Sequence, residues 1–290
     1  MFIKENRKQF GISLSCKVLG LSRSSYHRWL TRQVSQRRME ELQLVEKIKY
    51  YYSESRGSYG IPRITASLRR AGILVNKKRV ARLMRINKIK AKTKRRFKRT
   101  TLPDKRAEFN KNLLNQDFCS PVKNKIWTSD ITYLWTKEGW LYLCVVMDIY
   151  SRKIIGWSVG NKISSELVTK SLQMAITQRG KVEEVIFHSD RGSQYTSAEV
   201  RTMLKENSII QSMSSTGNCY DNAVTESFFH TLKTELTHWN NYNTREEAKR
   251  SIFEYIEIYY NRVRLHSTIG YLSPVEFEEK NNVIINIRVA

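Results

Sequence analysis

Ile126-Trp127-Thr128-Ser129-Asp130-Ile131-Thr132-Tyr133 reads as a β-strand rich in β-branched and aromatic residues, with a carboxylate at its centre. An acid inside a core is expensive unless it is paired or binds metal. A second apolar run, Val185-Ile186-Phe187-His188-Ser189-Asp190, ends on another acid just before Arg191-Gly192. The third acid, Glu226, follows Asp190 with 35 residues between, in a stretch from Asn222 to Leu236 that reads as a helix. Acids in mid-strand, at a strand end and on a helix can converge on two divalent cations. Such a pair catalyses in-line displacement at phosphorus.

The surroundings of these acids predict an α/β domain. Runs 126–135, 140–149 and 153–159 have strand composition, and their short connections favour antiparallel neighbours. A helix over 164–178, a strand over 184–189, a helix over 197–206 and a strand over 208–213 precede the Glu226 helix. The order βββαβαβα is that of an RNase-H-like core, a mixed sheet with helices on both faces. Beyond it, Thr244-Arg245-Glu246-Glu247 opens a helix to about Tyr260, with Ala248, Ile252, Tyr255, Ile256 and Tyr259 docked on the core. Ser273-Pro274-Val275-Glu276 repeats the capping pattern.

Charge divides the 290-residue chain unequally: residues 1–110 hold 30 Lys and Arg against 7 Asp and Glu, and the remainder 21 against 20. The basic front half predicts a polyanionic partner. Its first 35 residues contain two short helices around Gly20, the second opened by Ser22 and displaying Arg23 and Arg28. That is a helix-turn-helix pattern, although a plain helical hairpin has the same signature. A second helical unit follows over 36–95, with Leu42, Val45 and Ile48 on one stripe and Pro62 in the first turn of its middle helix. Its last helix, capped by Asn76, carries Lys77, Lys78, Arg79 and Arg82 around an inner Val80, Leu83 and Met84. These cations suit phosphate contact better than base reading. Ten Lys and Arg lie between 88 and 106, Arg95 and Arg96 among them, in a segment without apolar periodicity that suits a backbone-tracking linker over 96–122.

On the Glu226 helix, Glu226, His230 and Lys233 fall within about 60° of one another, beside a core stripe of Phe228, Phe229, Leu232 and Leu236. A surface Glu–Lys arrangement has the same spacing. The other two acids favour a site.

Gly57-Ser58-Tyr59-Gly60-Ile61-Pro62-Arg63-Ile64, Trp127 to Tyr133, His188 to Tyr195, Asn218 to Ala223, Glu226-Ser227-Phe228-Phe229 with Lys233, Tyr260 to Ser267 and Gly270 to Pro274 follow one another along the chain. With these motifs it resembles the OrfB-type (second reading frame) transposases of bacterial insertion sequences, in the DDE / retroviral integrase superfamily. The resemblance implies an integrase catalytic core over 123–240 and a C-terminal helical extension over 241–290. It implies that Asp130, Asp190 and Glu226 hold two Mg²⁺ ions, with Mn²⁺ able to substitute, and that Lys233 contacts transposon-end DNA. The implied reaction is 3′-end nicking followed by strand transfer. Implied partners are element and target DNA, further copies of the chain, and an OrfA-type first-frame product.

His188, Gln194 and His230 are candidates to orient metal or phosphate, with a hydrogen-bonded structural role as the alternative. Asn218 and Asp221 read better as helix caps than as ligands. Competing functions are a DNA-binding regulator with an inert nuclease-like domain, and a metal-dependent nuclease or resolvase. Cys16, Cys119, Cys144 and Cys219 are scattered, which argues against structural zinc and for a reducing compartment. The polar start and the shortness of every apolar run predict a cytoplasmic protein with no membrane partner.

Overall fold

The computed structural model describes residues 2–31, 35–92, 120–214 and 223–289, with side chains as far as residue 282. Arg95, Arg96, Asn218, Asp221 and most of the basic linker lie outside the described residues.

Five strands form one mixed sheet: β1 Ile126–Thr136, β2 Gly139–Asp148, β3 Lys153–Gly160, β4 Val185–Ser189 and β5 Ile209–Met213, in the order β3-β2-β1-β4-β5. Tight turns make β1–β2 and β2–β3 antiparallel. β4 and β5 return parallel to β1 and to each other, because each follows a crossover helix: α7 Ser165–Arg179 and α8 Ala198–Glu206. Alternation along the strands builds two cores. Leu141, Leu143, Val145 and Met147 face α9 Ala223–Glu235 and the segment around Tyr255. Trp127, Cys144, Val146 and Ile155 face α7 and α8. The expected RNase-H-like architecture is present, with every strand boundary within about one residue of expectation.

α7 lies close on β3. A Cβ built on Gly156 would stand 2.1 Å from the Ser171 carbonyl oxygen and 2.8 Å from the Ala175 nitrogen. Both obstacles are backbone, so the helix itself would have to move. Gly156→Ala is expected to destabilise the fold by about 1–3 kcal/mol or more, an overpacking cost read as a lowered midpoint in urea. An unchanged midpoint would refute the contact.

The predicted helix over 244–260 divides into α10 Arg245–Phe253 and a π-helical turn over Glu254–Tyr260. The wider turn, with Asn261 N–H bonded to the Ile256 carbonyl at 3.0 Å, brings Tyr255, Ile256, Tyr259 and Tyr260 into the core together. Asn261 then pairs its amide with both backbone groups of Ile154, at 3.0 and 2.9 Å, covering part of the exposed side of β3. In the last helix, α11 Pro274–Val289, Ser273 and Glu276 cap each other's N–H groups. Arg179 binds Asp148 at 3.1 Å and Glu278 of α11 at 2.9 Å, in a buried ionic group.

Ahead of the sheet, α1 Phe2–Glu5, α2 Ile12–Val18 and α3 Arg23–Leu30 bury little beyond Ile3, Cys16 and Tyr26. Leu14, Val18, Leu19 and Leu21 are exposed. α4 Gln36–Glu54, α5 Ile61–Arg70 and α6 Lys77–Ile86 form a denser unit. Its α4 stripe is Glu41, Leu44, Val45 and Ile48; Leu42, expected inside, is exposed. Glu41 takes the inner place because its carboxylate pairs with Arg82 of α6. The unit also takes Leu265 into its core: the Tyr59 hydroxyl accepts from the Leu265 N–H at 2.7 Å, and Arg63 donates to the Leu265 carbonyl at 2.9 Å.

Candidate active site

β4 pairs with β1 only along Ile126–Thr128, ending at Thr128↔His188. Asp130 and Asp190 each stand two residues beyond that last pair, so both acids come at the mouth where parallel strands separate. Crevices at such carboxyl ends of strands are where open α/β sheets bind ligands. Asp130 remains paired on its other side, with Val145 of β2. Its carboxylate accepts the Ile131 N–H at 2.7 Å, and Asp190 accepts the Gly192 N–H at 3.0 Å.

A Cβ on Gly192 would fall 2.0 Å from Nε2 of Gln194, so a larger residue there would displace that side chain. Gln194 therefore lies against the backbone that holds Asp190. Tyr195, fully buried, shares a 2.9 Å hydrogen bond with Ser129 and anchors this loop beneath β1. Arg191 donates to the Ser214 carbonyl at 2.6 Å, tying the loop to the end of β5.

Glu226 lies exposed in the first turn of α9. The start of that helix is fixed to β1 by the Thr225 hydroxyl, which donates to Thr128 Oγ1 at 2.8 Å in a buried contact two residues before Asp130. The expected stripe of Phe228, Phe229, Leu232 and Leu236 is buried. On the adjoining side His230 is exposed and Lys233 half-buried, its Nζ 5.1 Å from the centre of the Tyr133 ring.

Electrostatics separate these groups. Burial, then the charges of Asp190 and Glu226, push the Asp130 carboxyl up to about 8; the Ile131 N–H and Lys233 oppose the rise. Burial also raises Asp190, against the Gly192 N–H. Burial lowers Lys233, whose charge Asp130 supports. The three acids thus share one field, and bound divalent charge would relieve it. Oxygen donors of this kind suit Mg²⁺. Among the described residues, no group of three or more His, Cys, Asp or Glu is drawn together closely enough to grip a metal ion. The donor chemistry fits, and holding a metal requires the three carboxylates to draw closer together.

His188 is fully buried and hydrogen-bonded through Nδ1 to Ser212 at 2.9 Å, within the β4–β5 pair. Arg23 and Arg28 are exposed on α3, as are Lys77 and Lys78 on α6; Arg79 is half-buried. Arg82 is the exception among these cations, being held by Glu41. Thr128, Thr225, Ser129 and Glu41 had no role in the sequence reading. Arg264 is buried against Glu235 at 2.8 Å.

A family model described as Integrase core domain matches residues 121–219, and another so described matches 226–281. A model described as HTH-like domain matches residues 39–97, on α4–α6 rather than α2–α3. Transposase InsF for insertion sequence IS3A of Escherichia coli strain K12 is 41% identical over 283 residues, covering 97% of this chain and 98% of the relative. The insertion element IS600 31 kDa protein of Shigella sonnei is 41% identical over 266 residues, covering 91% and 97%. Among solved structures, the magnesium-bound catalytic core of HTLV-2 integrase (trimeric form) has 19% identity and a TM-score of 0.43, over 55% of this chain and 99% of that one. A chain of the simian T-cell lymphotropic virus intasome has 16% identity and a TM-score of 0.45, over 73% and 69%. With near-full-length identity to InsF, an integrase core and an HTH-like helical region, the chain belongs to the IS3-family, OrfB-type DDE transposases.

Proposed function

We propose that this transposase nicks the 3′ ends of its element and transfers them to a second strand at a site made by Asp130, Asp190 and Glu226. The observation that carries the reading is the pair of aspartates at the strand split, both raised by burial and Asp130 also by the charges of Asp190 and Glu226. The three carboxylates would hold two Mg²⁺ ions, or Mn²⁺ in their place. Bound there, such ions supply a polarised attacking oxygen and a neutralised leaving oxygen. The Ile131 and Gly192 N–H groups orient the aspartates, and the Thr225–Thr128 bond sets where α9 presents Glu226. Lys233 supplies positive charge beside Asp130 for a DNA phosphate. Gln194 braces the Asp190 loop from the far side of Gly192.

DNA would lie across the basic front half, with Arg23, Arg28, Lys77, Lys78 and Arg79 on phosphates. Two element ends have to be handled together, which calls for a homo-oligomer; an OrfA-type product is a further partner of the same assembly. No described helix is long and apolar enough to cross a membrane.

The test is an assay on supercoiled DNA carrying candidate element ends, with and without Mg²⁺, scored for nicked and joined products. Mg²⁺-dependent products of both kinds are expected; joining that persists in chelator overturns the proposal. DNA affinity should fall steeply with salt. Six phosphate contacts would weaken it about 10³-fold between 50 and 200 mM. Affinity indifferent to salt would refute the phosphate-tracking role of the front half.

A further inference from the structure

The β1–β2 hairpin continues past the point where β4 leaves β1, and its outer part carries aromatic rings in the open. Tyr133, Trp135 and Trp140 are 54%, 60% and 44% exposed. They lie on the sheet face shared with Ile131 and Cys144, whose inner part α7 and α8 cover. Trp140 meets both neighbours edge-on, at 5.1 Å from Tyr133 and 4.8 Å from Trp135. A cross-strand aromatic pair steadies a hairpin, and Trp135↔Trp140 does so here. Hairpin stability does not account for three large rings left in water, nor for the cations around them. Lys233 Nζ stands over Tyr133 at 5.1 Å, and Arg245 donates to the Trp140 carbonyl at 3.2 Å at the other end. Aromatic faces between cations are the physical signature of a surface for unpaired nucleic acid: bases stack on the rings, and phosphates meet the charges.

The ledge begins three residues from Asp130 on the opposite side-chain face of β1, and the two meet round the edge that β4 leaves open beyond Thr128, where Lys233 of α9 reaches Tyr133. At about 3.3 Å per residue, Tyr133 is roughly 10 Å along the strand and Trp135 roughly 17 Å. With a stacked strand rising 3.4 Å per nucleotide, that is about three to five nucleotides.

We propose that Tyr133, Trp135 and Trp140 form a base-stacking ledge for unpaired DNA beside the scissile phosphate. The proposal rests on the reading that Asp130 belongs to the cutting site. Charge favours DNA over a second protein copy as the occupant, because Lys233 and Arg245 flank the rings.

The test compares the full-length chain, in chelator, on a blunt duplex and on the same duplex with a five-nucleotide unpaired dT extension. Two stacked bases give an expected preference for the extension of about tenfold or more. Trp135→Leu and Trp140→Leu keep an apolar side chain on the hairpin but remove the stacking plane. They should reduce the preference to about twofold or less, with blunt-duplex affinity unchanged and the thermal midpoint lowered by no more than about 4 °C, the share of the lost cross-strand pair. Trp135→Phe should retain most of it. A wild-type protein without the preference, or Leu variants that keep it, overturns the ledge. So does a Leu variant that changes only the sedimentation of the free protein, which would make the face a contact between copies. Cleavage plays no part in this readout, so failure of the acid assignment would show in the nicking assay and failure of the ledge would show here.

Discussion

Asp130→Asn is expected to abolish nicking and joining while DNA binding persists, and Asp190→Asn and Glu226→Gln should do the same. A carboxamide has the shape of the acid without its charge, so the loss should be that of the cation's contribution to the transition state. Several kcal/mol at about 1.4 kcal/mol per decade is on the order of 10³-fold or more. Stability should move the other way for Asp130. Its folded carboxyl is pushed up to about 8 from an ordinary 3.8, chiefly by burial and then by Asp190 and Glu226. Above pH 3.8 the unfolded chain holds this proton less tightly than the folded one. The site therefore costs stability as pH rises from 3.8, and the cost is complete above about 8. The Asn variant has no such charge, and its melting temperature at pH 8 should equal or exceed that of wild type. Full strand transfer by any of the three variants would overturn the site. A variant inactive because unfolded would betray itself by a lowered melting temperature.

The strands around these acids were legible because their apolar runs are bounded by turns, and because burial on both faces leaves few polar residues between them. Asp130 stands out in such a run. What fixes the site was not legible. Thr128, Thr225 and Ser129 look in sequence like ordinary polar residues of a strand or helix. Their importance comes from register: Thr225 meets Thr128 across 97 positions, and Ser129 meets Tyr195 across 66. Local spacing contains neither partner. Glu41 misled for the same reason, since an acid displaces a leucine from the inner stripe only when a distant cation, Arg82, is waiting. The turn over 254–260 was read as plain α-helix because a 3.6-residue pattern does not register a single widened turn. Candidate DNA contacts were the least constrained: exposure of Arg23, Arg28, Lys77 and Lys78 is compatible with phosphate binding and with an ordinary solvated face.

Glu235→Gln is expected to lower stability by about 3–5 kcal/mol, because it leaves a buried guanidinium without its counter-charge. Arg264 donates to Glu235 at 2.8, 2.9 and 3.1 Å, and both side chains are almost wholly buried. Tyr255 adds a 2.8 Å bond to the same carboxylate, and Glu235's charge holds the Arg264 proton more firmly than usual, against burial. His266, beside them at 3.4 Å, is held neutral by burial and then by Arg264, well below its ordinary 6.5. The unfolded chain takes up that proton first as pH falls, so stability should decline from about pH 6.5 downward. At about 2–4 °C per kcal/mol for a chain of this size, Glu235→Gln should melt about 6–20 °C early. Glu235→Met combined with Arg264→Leu removes both charges and should recover most of the loss. Should the double variant be no more stable than the single one, the cost lies in packing rather than in the orphaned charge. The consequence for catalysis follows from position. Glu235 ends the helix that Glu226 begins, while Arg264 adjoins Leu265, which lies in the core of the α4–α6 unit. The ion pair therefore links the helix presenting the third acid to the basic helices proposed to hold DNA. Well below its melting temperature, Glu235→Gln should still cut more slowly than wild type with unchanged DNA affinity; equal cutting rates would confine the pair to stability.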